Sequence, residues 1–360
     1  MGFSVSFLKC GGKPELENEV IFQSRIDTIS YEFIDNLIPP NILNKLQNNE
    51  KMKQMKNPRT KDMKNILFND EKQDENIKNI YYKGEMNDQY QKHGLGELLI
   101  IDKNDKIWVY FGNWENDEIK HGQIFYSNGD EYSGDIKNFL RDGKGVFKSD
   151  LETYDGEWKE DRKEGAGEVK YKNNTKYKGE FKDDKYYDGN IYYPDGTYYS
   201  GKFDNNLFDG EGFLEGCNKH SYNGGFKKGK FHGYGEFKWI EGGFYKEEYH
   251  GEYCNGKKEG QGKFIFNNKD NSFEGSWKSG LPNGEGVFDT KNRKYYCIWR
   301  SGIFTQLLKY EEKEGCEEEN VEFNFKTPIE DIIIPDQIGI SLASNFSYRS
   351  VLINGSEEML

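Results

Sequence analysis

The sequence predicts a mainly β protein, an elongated and twisted single-layer antiparallel sheet of about nine stacked hairpins with a small N-terminal helical segment. Composition is the first reason, because 25 Phe, 25 Tyr and 6 Trp stand beside 41 Gly and only 8 Pro in 360 residues. Such proportions are typical of short strands joined by tight turns. The other reasons are a tandem repeat and a strict alternation of apolar and charged residues within it.

Each repeat opens with the pattern Tyr-x-Gly-x-aromatic. The first positions of nine copies and of a worn tenth are Tyr82, Tyr110, Tyr132, Tyr154, Tyr177, Tyr199, Tyr222, Tyr249, Phe273 and Tyr295. Met86 and Ile136 replace the second aromatic residue in two copies, and Cys297 replaces the glycine in the tenth. A pattern that returns at intervals of 22 to 28 residues indicates a repeat architecture.

The second half of most copies is a Gly-x-Gly unit, as in Gly94-Leu95-Gly96. After His121-Gly122 and after Asp188-Gly189 we interpret the second glycine as missing. Asn128-Gly129 and Asp195-Gly196 are dipeptides favoured in two-residue hairpin loops, so we expect such loops to close the units there. Each unit is therefore predicted to be one β-hairpin.

Residues two apart along a strand share a face of the sheet. Tyr154, Gly156 and Trp158 therefore point to one face. Asp155 and Glu157 point to the other. The rings then lie over the gaps left by glycines on the paired strand, which explains why glycine holds fixed strand positions. The sequence predicts a curved ribbon with an aromatic-lined trough on one face and charged residues on the other.

The two half-motifs, Tyr-x-Gly-x-Trp and then His-Gly-x-Gly, resemble the MORN (membrane occupation and recognition nexus) repeat family. The resemblance covers Tyr81 to about Gly302. It implies a rod-like sheet of hairpins that acts as a scaffold or targeting module. In relatives, such arrays associate with membranes or phosphoinositides, with cytoskeletal structures, or with themselves as dimers. It implies no catalysis, because enzymes that contain these repeats carry catalysis in a separate domain.

The sequence divides into four segments: residues 1–12 as a lipidated or loose arm, 13–80 as a helical and basic segment, 81–302 as the MORN array, and 303–360 as an acidic and then apolar tail. An amphipathic helix is expected from Glu15 to Leu37, where Pro39-Pro40 ends it, and a second from Asn41. Its apolar face would carry Phe22, Ile26, Ile29, Phe33 and Leu37. In the tail, Val321–Ile334 would add a strand or a docking segment.

Charge and cysteine usage exclude several classes of protein. A net charge of −13 disfavours nucleic-acid binding, which depends on neutralising phosphates. The 5 cysteines form no Cys-x-x-Cys pair, so neither a zinc knuckle nor a secreted disulfide framework is expected. No apolar run approaches the ~18 residues of a membrane span. We therefore expect a soluble, cytoplasmic protein.

No residue pattern predicts catalysis, a metal or a cofactor. The Gly-x-Gly units lack the third glycine of a dinucleotide turn and the Gly-Lys-Ser/Thr of a P-loop. The histidines His93, His121 and His232 occupy the same turn position in different repeats, where they do not converge on one metal. Glu85, Glu157, Glu180 and Glu252 recur at one outward position, which indicates a solvated face. Cys297 is interpreted as a packing substitution. We expect no enzyme activity.

The N-terminus carries a candidate lipid anchor. Residues 1–6 fit the pattern for N-myristoylation at Gly2, and Cys10 is a candidate palmitoylation site, although Phe3 is bulky for such a signal. One acyl chain binds a membrane weakly. A second contact with anionic lipid would come from the basic residues Lys51, Lys53, Lys56, Arg59, Lys61 and Lys64. The alternatives are a loose arm and a solvated linker.

The function predicted from these features is a non-enzymatic scaffold that holds protein partners at a membrane-proximal or cytoskeletal site. Its candidate partner-binding residues line the trough: Tyr154, Trp158, Tyr177, Phe181, Tyr199, Phe203, Tyr222 and Phe226. The alternative is that packing consumes these rings entirely. Two other functions stay open, a peripheral membrane or phosphoinositide targeting module at the inner membrane surface, and the MORN subunit of a ciliary or cortical cytoskeletal assembly. Uncovered strand edges also predict a homodimer.

Overall fold

A computed structural model describes residues 31–50, 59–62, 76–217, 219–241, 244–266 and 271–313. These residues form two helices, α1 (Tyr31–Leu37) and α2 (Pro40–Gln47). The strands are β1 (Arg59–Asp62), β2 (Ile77–Met86), β3 (Lys92–Asp102), β4 (Ile107–Glu115), β5 (Glu118–Tyr126), β6 (Glu131–Lys137), β7 (Leu140–Lys148), β8 (Glu152–Lys159), β9 (Arg162–Tyr171), β10 (Lys176–Lys182), β11 (Lys185–Tyr192), β12 (Tyr198–Asp204), β13 (Leu207–Glu215), β14 (Ser221–Lys227), β15 (Lys230–Glu241), β16 (Phe244–Cys254), β17 (Lys257–Ile265), β18 (Ser272–Lys278), β19 (Leu281–Asp289), β20 (Arg293–Arg300) and β21 (Ile303–Glu312).

All the strands belong to one 21-stranded sheet, in which each strand pairs antiparallel with the next along the chain. The predicted mainly β fold is confirmed. The nine expected hairpins are β2–β3 through β18–β19, and the worn tenth copy forms β20–β21. β1 adds a short strand beside β2. We call the face that carries the repeat tyrosines the ring face and the opposite face the outer face.

The two-residue loops lie elsewhere than expected. They join the strands within every hairpin from β4–β5 to β20–β21, and both of their residues have positive φ, as at Asn205 (51°) and Asn206 (63°), whereas β2–β3 has a longer loop. This is the type I′ geometry that suits the right-handed twist of paired strands. Asn128-Gly129 instead lies in the longer connection from Tyr126 to Glu131, between two hairpins. Turns close the units at Asn128-Gly129 and Asp195-Gly196 as expected, but the expected two-residue loop length was wrong there, because the dipeptide alone does not fix the strand ends.

A continuous row of glycines crosses the sheet at right angles to the strands. Each glycine faces the next across a strand pair: Gly84, Gly96, Gly112, Gly122, Gly134, Gly145, Gly156, Gly167, Gly179, Gly189, Gly201, Gly212, Gly224, Gly235, Gly251, Gly262, Gly275 and Gly286. Cys297 faces Gly286 and ends the row.

The row corrects one expectation about the repeat. Gly122 of β5 faces both Gly112 and Gly134, so this copy keeps the second glycine of the motif. What β5 lacks is the preceding glycine, which in other copies has positive φ, as does Gly165 at 65°. The same holds for Gly189 of β11. The interpretation of a missing second glycine was wrong, because sequence spacing alone does not show which position a shortened strand omits.

Next to the glycine row, every hairpin contains a β-bulge. In β8–β9 the register shifts between Gly156 and Trp158, so that Glu157 lies opposite residues 164–166. Corresponding shifts occur between Gly201 and Phe203 and between Gly275 and Trp277. A bulge bends its strand and increases the local twist. A bulge at the same place in each hairpin therefore curves the sheet regularly.

The two helices cover the outer face of the first strands. A second apolar cluster joins them to the sheet: Ile34, Ile38, Ile42, Leu46, Tyr81, Leu99, Ile101, Val109, Phe111 and Phe125. The expected apolar face was right at Leu37, which packs against this cluster, but wrong at Phe33, which is 47% exposed while Ile34 beside it is buried. Residues 1–30 and 314–360 lie outside the described residues. The remaining expected positions, Phe22, Ile26 and Ile29, are among them. The four segment boundaries stay predictions.

Candidate interaction surface

The candidate trough residues are buried on the ring face. None of the eight is more than 5% exposed: Tyr154, Trp158, Tyr177, Phe181, Tyr199, Phe203, Tyr222 and Phe226. They belong to one continuous apolar cluster that runs from Ile80 on β2 to Trp299 on β20. The structure therefore places these rings in packing, the alternative given above, and they present little surface to a partner.

The rings pack mainly edge to face, within each hairpin and between neighbouring ones. The Tyr154 ring centroid lies 5.0 Å from that of Trp158 in its own hairpin and 4.9 Å from that of Phe181 in the next. Tyr199 repeats this with Phe203 and Phe226, both at 5.2 Å. Such contacts add about 0.5–1.5 kcal/mol each to the effect of burial. Each hairpin thus depends on its neighbours for a complete core.

Each ring is held over the glycine row as expected. A Cβ atom placed on Gly167 would lie 2.5 Å from the Tyr154 hydroxyl oxygen and 2.6 Å from its Cε2 atom. The Tyr154 hydroxyl donates a hydrogen bond of 2.9 Å to the carbonyl of Glu157, which the bulge has turned towards it. Burial raises the pKa of Tyr154, so the hydroxyl remains a donor at neutral pH. Ring, glycine pair and bulge therefore form one unit.

The contribution of the tyrosine hydroxyl to stability can be tested in this chain both by removing one hydroxyl and by adding one. Tyr199 donates 2.9 Å to the carbonyl of Lys202, whereas the corresponding ring in a later hairpin is Phe273, which has no hydroxyl. We expect Tyr199→Phe to lower the free energy of unfolding by about 1 kcal/mol. Phe273→Tyr should raise it by a similar amount, since the new hydroxyl reaches the carbonyl of Ser276. Urea denaturation followed by tryptophan fluorescence measures both, and equal signs for the two variants would contradict this role.

Cationic side chains also enter the ring face, which alternation alone did not predict. Lys258 is 3% exposed, and its ammonium nitrogen lies 4.9 Å from the Trp239 ring centroid and 5.4 Å from that of Tyr249. The Arg141 guanidinium lies 4.0 Å from the Trp158 ring and 3.0 Å from Asp161. In the central hairpins this position holds an aromatic ring instead, and Phe208 stacks on Tyr199 at 3.7 Å. Strand pairing brings these side chains inside, and the sequence alone does not show which residues pair.

Several outward carboxylates have a structural task as well as solvation. Glu252 accepts a 3.0 Å hydrogen bond from the backbone N–H of Gln261, directly after the positive-φ Gly260. Glu85 accepts one of 3.2 Å from Leu95 in the same way. These side chains cap the bulges, which explains an acidic residue at a fixed outer position. Glu157 and Glu180 are exposed there.

One carboxylate on the outer face is deeply buried beneath α1. Glu97 is 1% exposed, and its Oε1 atom lies 3.4 Å from Nζ of Lys83. Lys83 also bridges to Asp35 of α1 at 2.6 Å. Burial raises the pKa of Glu97 to about 7, against the lowering effect of the Lys83 charge. The contact between helix and sheet therefore contains a carboxyl group that titrates near neutrality.

The repeat histidines and the buried cysteine lie on different strands. Within the described part of the chain, no three His, Cys, Asp or Glu side chains are grouped so as to hold a metal ion. His121 lies 2.9 Å from Asp135 on the outer face, and His93 and His232 lie on other strands. Cys297 is fully buried, and burial raises the pKa of its thiol to about 11. A neutral, enclosed thiol fits the interpretation as a packing substitution.

The candidate lipid-binding residues fall mostly outside the described residues. Gly2, Cys10, Lys51, Lys53, Lys56 and Lys64 lie in segments that the structure does not describe. Arg59 and Lys61 belong to β1, whose backbone pairs with β2. Neither described helix has the length and hydropathy that a bilayer crossing requires.

A single curved sheet of near-identical hairpins, each completed by its neighbours, defines a β-repeat protein. The family model described as MORN repeat matches residues 154–176, 199–221, 222–244, 249–271 and 273–293. Residues 154–293 therefore carry five MORN repeats, as the motifs indicated. The other hairpins share the glycine row but carry the departures noted above, such as Met86 and Ile136. No curated protein matches the chain.

Proposed function

We propose that the protein is a non-enzymatic scaffold whose outer face holds protein partners at a membrane-proximal or cytoskeletal site. The proposal rests on the difference between the two faces of the sheet. The side chains of the ring face are buried in packing from β2 to β20, and among the described residues α1 and α2 cover the outer face over the first strands. The remaining outer face presents exposed polar and charged side chains on successive rungs, and MORN repeats generally mediate protein or membrane interactions.

Purification of the tagged full chain from cells after brief cross-linking, followed by mass spectrometry, tests the scaffold. We expect a reproducible set of partners whose cross-links map to exposed outer-face lysines. A matched control is the same chain carrying Gly167→Ala and Gly235→Ala, which disturb the ring face. Partner recovery that survives loss of the folded array would contradict the scaffold. So would turnover of a phosphoinositide or protein substrate by the purified chain.

A membrane-targeting role is the second candidate, favoured by Gly2 in its myristoylation pattern, by Cys10 and by the basic residues from Lys51 to Lys64. Because one acyl chain anchors weakly, Gly2→Ala should release most of the protein from membranes. Cell fractionation with a Ser4→Ala control measures this. Unchanged membrane recovery of Gly2→Ala would refute the lipid anchor and leave the scaffold standing.

The homodimer also stays a prediction, with β21 as its candidate edge. β21 pairs only with β20 among the described strands, and it exposes Ile303, Leu307, Leu308 and Tyr310. Exposed apolar edges favour pairing with another strand. A ciliary or cortical cytoskeletal assembly remains the other candidate location.

A further inference from the structure

A row of lysine and tyrosine side chains crosses the outer face on six consecutive strands, β7 to β12. Its members alternate with buried ring-face residues and face one another across the sheet: Lys148, Thr153, Lys170, Lys176, Tyr192 and Tyr198. We call it the lysine–tyrosine row. It lies beyond the apolar cluster that α1 and α2 cover on strands β2 to β5, and it begins one strand after the ion pair between Lys45 of α2 and Glu131 of β6. None of the described helices therefore covers the row.

The cationic half of the row is not explained by folding. Lys170 and Lys176 are directly opposite each other on β9 and β10, and like charges in that arrangement destabilise a sheet. Lys170 has one neutralising contact, with Glu168 at 3.0 Å. Lys148 and Lys176 make no ion pair with any described residue. A neighbouring pair of cations that is only partly neutralised, in a chain of net charge −13, indicates an anionic partner.

The aromatic half of the row offers a stacking surface. The Tyr192 ring is 48% exposed and lies 4.9 Å from that of Tyr198. The Tyr198 hydroxyl donates 3.0 Å to Oδ1 of Asn190, and Phe213 lies 6.3 Å from the Tyr198 ring. These contacts fix Tyr198 while one ring stays exposed. Rings held in this way bind aromatic or proline side chains at low entropic cost.

The charged residues around the lysine–tyrosine row favour a ligand one polypeptide chain wide over a broad one such as a bilayer. Across the glycine row, the outer face carries Glu157, Glu180 and Asp188 on β8, β10 and β11, and Glu211 on β13. Lys176 and Glu180 are four residues apart on β10, about 13 Å along a strand. An anionic bilayer or a nucleic-acid duplex lying on this face would meet the carboxylates as well as the lysines. A single extended polypeptide along the row avoids these carboxylates; the acidic residues beside it are Asp155 and Glu168, of which Glu168 is already paired with Lys170.

We propose that the lysine–tyrosine row binds an extended acidic segment of a partner protein, laid across the strands. The cations from β7 to β10 span three strand spacings, about 14 Å, which matches four or five extended residues. The tyrosines of β11 and β12 add two spacings, about 10 Å, or some three residues. The ligand is therefore a short acidic run next to an aromatic or proline residue. This inference rests on the proposed scaffold function and names the class of partner.

Fluorescence anisotropy with the folded full chain tests the row. The probe is a fluorescein-labelled peptide of five Glu followed by Gly-Phe-Pro-Phe, with the reversed order and a Gln-for-Glu version as controls. We expect the chain to bind one of the two acidic peptides, with an affinity that falls as the salt concentration rises, and not to bind the Gln peptide. Lys170→Glu with Lys176→Glu should weaken binding roughly tenfold or more, and Tyr192→Ser about threefold.

The matched control is Lys144→Glu with Lys202→Glu, which changes net charge equally on β7 and β12 but on the carboxylate side of the glycine row. This variant should bind nearly as tightly as the unmodified chain, and an equal loss in both double variants would overturn the proposal. Binding of phosphatidylserine vesicles that requires Lys170 and Lys176 would also overturn it, in favour of a membrane. If the cross-linked partners are still recovered with the variant Lys170→Glu, Lys176→Glu, the row is not their binding site, and the proposed scaffold function is unaffected. If no partner is recovered at all, the scaffold fails independently of the peptide result.

Discussion

Gly167→Ala should lower the free energy of unfolding by about 3 kcal/mol, although it adds one methyl group. The new Cβ would lie 2.5 to 2.7 Å from atoms of the Tyr154 ring. That ring cannot retreat, because Trp158 and Phe181 pack against it at 5.0 and 4.9 Å. Urea denaturation measures the total effect, and amide hydrogen exchange should show the loss of protection centred on β8 to β10.

Two further variants make this expectation specific. Gly233→Asn is the matched glycine control, because no atom lies within 4 Å of its Cβ position and asparagine tolerates a φ near its 74°. It should change stability by less than about 1 kcal/mol. In a Tyr154→Ala background, Gly167→Ala should cost little, since the ring that it meets is gone. An undiminished cost there would show that the glycine is needed for its backbone, and the packing explanation would fail.

Glu97→Gln should make the contact between α1 and the sheet more stable above neutral pH and remove its pH dependence. The pKa of Glu97 rises from 4.5 to about 7 on folding, so the native state holds the proton more tightly. Its stabilising contribution is therefore complete below pH about 4.5 and is lost as the pH rises through about 7. The shift corresponds to a loss on the order of 3 kcal/mol. Hydrogen exchange of α1 and α2 between pH 5 and 8, corrected for the intrinsic rate, follows it.

The control for Glu97 is an exposed carboxylate, Glu285→Gln, which should leave the pH profile unchanged. Lys83→Met offers a second readout. Lys83 lowers the pKa of Glu97 through its charge, so its removal should move the transition to higher pH. A profile for Glu97→Gln that still falls between pH 5 and 8 would show that Glu97 is not the titrating group.

Most of the sheet was predictable because its periodicities are local. The spacing from Tyr154 to Gly156 and Trp158 fixes which side chains share a face, and this alternation holds in the structure. The positions of the two-residue loops were harder to predict from the sequence. Asn205 and Asn206 form such a loop, whereas Asp195-Gly196 lies in a longer connection. Loop length depends on where both flanking strands end, and pairing energy decides that.

The features that sequence reasoning missed depend either on strand register within a hairpin or on contacts between distant segments. Lys163 looks like a surface residue in a charged run, yet β8 pairing places it opposite Trp158 and 8% exposed. The apolar stretch from Leu98 to Ile101, four residues without alternation, was the available signal that β3 is covered on both faces. The covering residue Ile34 was missed because Phe33 fitted the expected helical face equally well.

Consecutive pairing of every strand with the next has a consequence for how such a chain changes over time. Duplicating or deleting one unit of about 22 residues would shift the glycine row by two strand spacings, or about 10 Å, while the junction on either side stays the same. The distance between whatever is attached at the two ends is therefore set by copy number. Such a protein can be lengthened or shortened as a spacer without redesign of any interface.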